Sequence, residues 1–161
     1  MKNEFRIGLG HDIHALVEGR ELWLGGVKIP YHLGLKGHSD ADALIHAIMD
    51  AMLGALALGD IGCLFPDSDS TYKGISSMKL LGEVMKKVVA KGFAVNNIDC
   101  MIHCEKPKIA PHRAAMVETL SAALQIDADR ISIKAGTNEG FDAVGQGRAI
   151  SCQAVVMLIR G

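Results

Sequence analysis

Aromatic side chains are scarce in this 161-residue sequence, which has one Trp, two Tyr and four Phe. So few flat rings leave little platform for stacking unpaired bases, and the core must be built from Ala, Ile, Leu, Val and Met, which pack by volume. Nor is there an excess of positive charge: 17 Lys and Arg stand against 18 Asp and Glu, for a net charge of −1. Scattered cations do not make the basic stripe of a nucleic-acid binder, so no nucleic-acid partner is expected and any anionic ligand must be held locally. No apolar run approaches the length of a membrane span, and MKNEFRIG carries neither a secretory apolar core nor an Arg- and Ser-rich presequence. The expectation is a cytoplasmic protein with no membrane partner. The cysteines Cys63, Cys100, Cys104 and Cys152 form no C-x-x-C pair and read as buried thiols of a reducing compartment.

What is present is ordinary globular material, 49% hydrophobic and 22% charged, of a length that suits one domain spanning residues 1–161. Residues 4–16 alternate Phe5, Ile7 and Leu9 with Arg6, Gly8 and Gly10, a period of two that predicts a strand. In 21–30, LWL and VKI flank Gly25-Gly26 and predict a hairpin. Across 39–59, Ile45, Ile48, Met49, Met52, Leu53 and Leu56 recur at helical spacing. Ser39 followed by Asp42 resembles a capping box, so this helix is predicted to start near residue 40. A second helix is predicted over 76–91, with Leu81, Val84, Met85, Val88 and Val89 as its stripe and Gly92 as its stop. Ile98, Cys100, Ile102 and Cys104 alternate as a strand, 111–125 reads as a third helix, and 131–135 and 150–159 read as strands, the last one central. The predicted class is α+β, ferredoxin-like, with helices layered on one side of a mixed sheet of about five strands.

In GLGHDIH, Asp12 and His14 stand two apart on the first strand, so their side chains leave on one face. His46, between Asp42 and Asp50 on the first helix, is the best third ligand for a metal. One carboxylate with two imidazoles suits zinc and leaves a coordination position open, although an isolated D-x-H and a helical His beside a core are also common without metal. His11 and His38 each read as a donor behind the ligands, a phosphate contact or a loop residue. Segment 60–73 sets Asp60, Asp67 and Asp69 among Gly and Pro and ends in Lys73, which fits a phosphate or polyol loop or an ordinary polar turn. KPKIAPH places Lys106 and Lys108 at the start of the third helix, where amides could meet an anion. KAGTNEG offers the Thr137 hydroxyl and the Glu139 carboxylate to a hard cation such as Mg²⁺.

Taken in order, RIGLGHDIH, GHSDADALIHAIMDA, GDIGCLFPDSD, KPKIAPH and IKAGTNE resemble the 2-C-methyl-D-erythritol 2,4-cyclodiphosphate synthase family of the non-mevalonate isoprenoid pathway, nearly end to end. The resemblance implies a homotrimer with active sites between subunits. It also implies a phosphorus–oxygen lyase acting on 4-diphosphocytidyl-2-C-methyl-D-erythritol 2-phosphate, with the cyclic diphosphate and CMP as products. By the same resemblance Asp12, His14 and His46 bind Zn²⁺, and Glu139 helps hold Mg²⁺ or Mn²⁺. His38, Thr137 and Glu139 fall at catalytic positions, with Ser39 near the transferred phosphate. Asp60 and Gly62 match diphosphate contacts, while Phe65, Asp67 and Lys73 match the methylerythritol pocket. Pro107, Lys108, Ile109, Ala110, Ala135 and Thr137 match the cytidine and phosphate side, supplied by the neighbouring subunit. Ala143 and Gln146 depart from the Phe and Arg common in bacterial members, which predicts weak binding of isoprenoid diphosphates on a trimer axis. Two other readings of the metal residues are a zinc phosphohydrolase that activates water and a structural metal module with a closed fourth ligand.

Overall fold

The computed structural model describes residues 3–66 and 68–161. Along the chain the elements are β1 (Glu4–Val17), β2 (Leu22–Leu24), β3 (Val27–Ile29), β4 (Gly34–Leu35), α1 (Ala43–Ala55), α2 (Ile61–Leu64), α3 (Ser77–Ala90), β5 (Ala94–His103), α4 (Arg113–Leu124), β6 (Ile131–Gly136), α5 (Asp142–Gly145) and β7 (Ala149–Arg160). The two-residue period of β1 is as the sequence predicts, and its inner face is the one bearing Gly8 and Gly10. Helix α1 lies so close on that face that a Cβ at Gly8 would sit 1.7 Å from the Ala51 carbonyl oxygen, and one at Gly10 1.8 Å from that of Ala47. Ala47, Ala51 and Ala55 face the strand with small side chains of their own, all buried.

The first helix begins at Ala43, and Asp42 is its cap, accepting from the Ile45 N–H at 3.1 Å. The same carboxylate accepts from Gly25 N–H at 2.9 Å and Gly26 N–H at 2.7 Å, tying the β2–β3 turn to the helix start. Both glycines have positive φ, the backbone such a two-residue turn requires. Ser39 does not cap because its hydroxyl accepts from Ala41 N–H inside the preceding turn. Helix α3 is capped by Ser76 and followed by Gly92 at φ 77, as expected, but Val89 lies outside the buried stripe at 62% exposed. Pro111 sits in a 3-10 turn, Ala110–His112, ahead of α4, because it has no N–H to extend the helical ladder.

The strand order is β4-β1-β7-β5-β6, with β7 central. β7 runs antiparallel to both β1 and β5, whereas β5 and β6 are parallel, joined by a crossover through α4. The mixed sheet with helices on one side is therefore as predicted, but the ferredoxin-like assignment is not. A ferredoxin-like chain runs β-α-β-β-α-β, while the long strands and packed helices here run β-α-α-β-α-β-β.

The uncovered face of the sheet is apolar. Phe5 pairs with Ile159, Ile7 with Met157 and Leu9 with Val155, and Phe5, Ile7 and Leu9 are 53%, 65% and 69% exposed. Cys100, Cys104 and Cys152 are buried as expected, and burial pushes the Cys100 thiol up to about 12 and that of Cys104 to about 11. Cys63 is exposed instead, since the single turn of α2 buries none of its residues. Among the described residues no helix is long and apolar enough to cross a membrane.

Candidate metal centre and nucleotide cavity

Strand β1 delivers Asp12 and His14 to the same inner face, and the close approach of α1 at Gly10 brings His46 down beside them. Asp12 Oδ2 lies 2.8 Å from His14 Nε2 and 2.9 Å from His46 Nδ1, and the two imidazole nitrogens are 3.3 Å apart. His14 Nδ1 donates to the Lys36 carbonyl at 2.7 Å, so Nε2 donates to Asp12 when the ring is protonated and offers a lone pair to a cation when the ring is neutral. Burial pushes the Asp12 carboxyl up, but hydrogen bonds from His14 and His46 outweigh that and hold it well below the usual carboxylate range. Burial likewise lowers His14, and its bond to Asp12 outweighs this to raise it above the ordinary imidazole value. Three acceptor atoms converging with so little room between them fit a divalent cation, and an oxygen with two imidazole nitrogens is a zinc-like set.

The triad opens into a cavity of about 230 Å³ whose wall includes His38, Ser39, Gly62 and Phe65, so these four expected residues are brought together with the metal ligands. Gly37, Ile61, Tyr72 and Leu80 also line that wall; nothing in the sequence pattern sets them apart from ordinary loop and core positions. Arg20 is a further residue of this region, its Nη2 donating to the Ser39 carbonyl at 2.6 Å. Asp60 and Lys73 do not line the cavity. Asp60 instead caps α2, accepting from Cys63 N–H at 2.9 Å, and Lys73 closes the 3-10 turn Ser70–Tyr72. Asp67 lies outside the described residues.

A second cavity, about 250 Å³, is walled by Pro107, Lys108, Ile109, Ala110, Ala135 and Thr137, the whole set expected on the cytidine side. Glu139 borders neither cavity. It is exposed, held at φ 52, and accepts from the Thr137 hydroxyl at 3.1 Å. A left-handed non-glycine residue is a strained one, and such strain gathers at functional loops. Along the sheet Asp12 pairs with Cys152, Cys152 with Ile102 and Ile102 with Ala135. The two cavities thus open at one end of the sheet, with Asp12 and Ala135 three strand spacings or roughly 14 Å apart. Gln146 accepts from Arg148 Nε at 3.0 Å, so a guanidinium stands two residues beyond the position where the common arginine is missing.

A family model described as the YgbB family matches residues 5–159. The chain belongs to the YgbB family. It is 54% identical over 156 residues to a 2-C-methyl-D-erythritol 2,4-cyclodiphosphate synthase of Desulforamulus reducens, covering 97% of this chain and 99% of that one. The solved structure of the bifunctional IspDF from Campylobacter jejuni superposes with a TM-score of 0.95 at 39% identity, covering 99% of this chain and 43% of that longer one. The IspF of Plasmodium falciparum in complex with CDP superposes with a TM-score of 0.86 at 36% identity, covering 99% of each chain.

Proposed function

We propose that this YgbB-family chain converts 4-diphosphocytidyl-2-C-methyl-D-erythritol 2-phosphate to 2-C-methyl-D-erythritol 2,4-cyclodiphosphate and CMP. The observation that carries this reading is the convergence of Asp12, His14 and His46 on one cavity while a second cavity, at the same end of the sheet, has the walls expected for a cytidine nucleotide. Relatives named for this synthase, and a neighbour solved with CDP, support it. Asp12, His14 and His46 would hold Zn²⁺, and Glu139 would help hold Mg²⁺ or Mn²⁺. When bound, these cations supply Lewis-acid polarisation of the diphosphate and neutralise its charge. An oxygen of the substrate's own 2-phosphate attacks the β-phosphorus, a new P–O–P bond closes the ring, and the bond to the α-phosphate oxygen breaks with its electron pair leaving on CMP. Because nucleophile and electrophile share one molecule, the chain's task is to fold the substrate: His38 and Ser39 border the transferred phosphate, and residues 107–110 hold the cytidine. Phosphorus NMR of the products tests this. Cyclic diphosphate with CMP is expected; a linear phosphate product would identify a zinc phosphohydrolase instead.

The site is shared between subunits of a homotrimer in this reading. The residues that would hold the two ends of one substrate's diphosphate stand far apart in a single chain, since Asp12 on β1 and Ala135 on β6, the strand that leads to Glu139, are three strand spacings from each other. The apolar outer face of β1 and β7 supports self-association, since so large an exposed patch is unusual on a monomer. Glu139→Gln is expected to keep its zinc and lose turnover by about 100-fold, as removal of one preorganised charge contact does. Loss of zinc from that variant, read by metal analysis, would place Glu139 in the zinc shell. Co-assembled Glu139→Gln and His46→Ala chains are expected to recover activity above either parent, because some interfaces then join two intact half-sites. Mixed trimers as inactive as their parents would place the whole site within one chain.

A further inference from the structure

The second nitrogen of His46 points away from the triad into a buried pocket, where Nε2 lies 2.9 Å from the hydroxyl of Ser77 and 3.2 Å from that of Ser39. Ser77 is the first residue of α3 and has no exposed surface. Its hydroxyl also makes a short hydrogen bond to Asp40 Oδ1, and its N–H donates to Asp40 Oδ2 at 2.9 Å. Asp40 is itself fixed, because its N–H donates to the Ile75 carbonyl and its Oδ1 also accepts from Asp42 N–H, each at 3.1 Å. Building on the zinc reading above, we propose that Ser77 and Asp40 are positioning residues that hold the proton of His46 on Nε2 and so present Nδ1 to the metal.

The argument is one of donor counting. A carboxylate only accepts, so Asp40 takes the single hydroxyl proton of Ser77. Towards His46 the Ser77 oxygen then has only lone pairs to offer, so Nε2 must be the donor. A neutral imidazole with its proton on Nε2 leaves a lone pair on Nδ1, the atom that faces Asp12 and His14. The opposing pull comes from Asp12, whose Oδ2 at 2.9 Å would draw a proton onto Nδ1 and block the ligand position. Without Asp40 the Ser77 hydroxyl is free to turn its proton towards Nε2, which favours that blocked tautomer. Ser39 is a weaker anchor, since its oxygen is further away and already accepts from Ala41 N–H. Carbonyl–histidine and carboxylate–serine–histidine supports thus serve the two imidazoles from opposite sides, Lys36 behind His14 and Asp40 behind His46.

The test is zinc titration of the metal-free full-length chain against a chelating indicator, for wild type, Ser77→Ala and Asp40→Asn. Each variant is expected to bind zinc roughly 10- to 100-fold more weakly, the usual cost of losing an outer partner of a metal-bound histidine. In zinc-loaded wild type the His46 imidazole N–H is expected to be protected from solvent exchange in nitrogen-15 spectra, and in Ser77→Ala that protection should be lost. A general loosening of α3 would not single out this one resonance. If Ser77→Ala does not fold, Asp40→Asn alone decides the affinity. Wild type binding zinc tightly beside folded variants within about threefold of it would overturn this proposal alone. A wild type that takes up no zinc overturns the metal reading and this proposal together.

Discussion

His46→Ala is expected to remove zinc from the protein and abolish turnover, by about 1,000-fold or more, with the far-UV spectrum nearly unchanged. The loss of function follows from geometry. Nδ1 of this residue is the only ligand atom α1 brings to the triad, and without it the two ligands from β1 form an open pair with far weaker hold on a cation. The fold should survive because α1 is anchored independently by Leu44, Ile45, Ile48, Met49, Met52 and Leu53, all fully or almost fully buried. A local cost of about 1–3 kcal/mol is expected, since the Ser77 and Ser39 hydroxyls lose a buried partner. Metal analysis, a turnover assay and circular dichroism on the same preparation check all three parts. Full activity in a zinc-free His46→Ala sample would sink the metal assignment.

Elements governed by local periodicity are legible in the sequence itself. The alternation in 4–16, the helical stripe beginning at Ile45 and the stop at Gly92 each follow from side-chain spacing and backbone freedom, and each element is found within a few residues. The strand topology is not legible in the same way. Whether β5 and β6 pair parallel depends on how α4 crosses the sheet, which no two-residue period in either strand encodes. The cap of α1 escapes sequence reasoning for a related cause. Ser39 and Asp42 both suit a helix start, and the choice between them is made by Gly25 and Gly26, which arrive from a distant hairpin to share the Asp42 carboxylate.

The candidate metal centre is legible on other grounds. Asp12 and His14 share a face by strand geometry alone, and the helical position of His46 makes it the natural third ligand. What surrounds the ligands is hidden. Ser77 and Asp40 lie 31 and 6 positions from His46, separated by loops, and nothing about a serine at a helix start distinguishes a metal support from a cap. Glu139 shows the limit from the other side. The family resemblance puts it at a functional position, yet within one chain it stands apart from the triad.

Gly10→Ala is expected to damage stability and metal binding together, although it adds a single methyl group to a strand. That methyl carbon would lie 1.8 Å from the Ala47 carbonyl oxygen, and the obstacle is helix backbone, not a side chain that can rotate aside. Helix α1 must retreat by roughly an ångström or more to restore ordinary contact. Such a shift strains a core in which Ala47 and Ala51 are fully buried, at a cost near the upper end of overpacking penalties, about 3 kcal/mol. It also moves the metal site apart, because Gly10 precedes Asp12 by two residues and Ala47 directly follows His46. Gly54→Ala is the matched control on the same helix. A Cβ there meets nothing within 4 Å, so alanine should stabilise the chain by about 0.5–1 kcal/mol through the lower entropy of its unfolded state. Urea unfolding of the metal-free proteins, paired with zinc titration, measures both effects. A Gly10→Ala chain that unfolds at the wild-type midpoint and keeps its zinc affinity would show that α1 does not rest on β1 as closely as the glycine face requires.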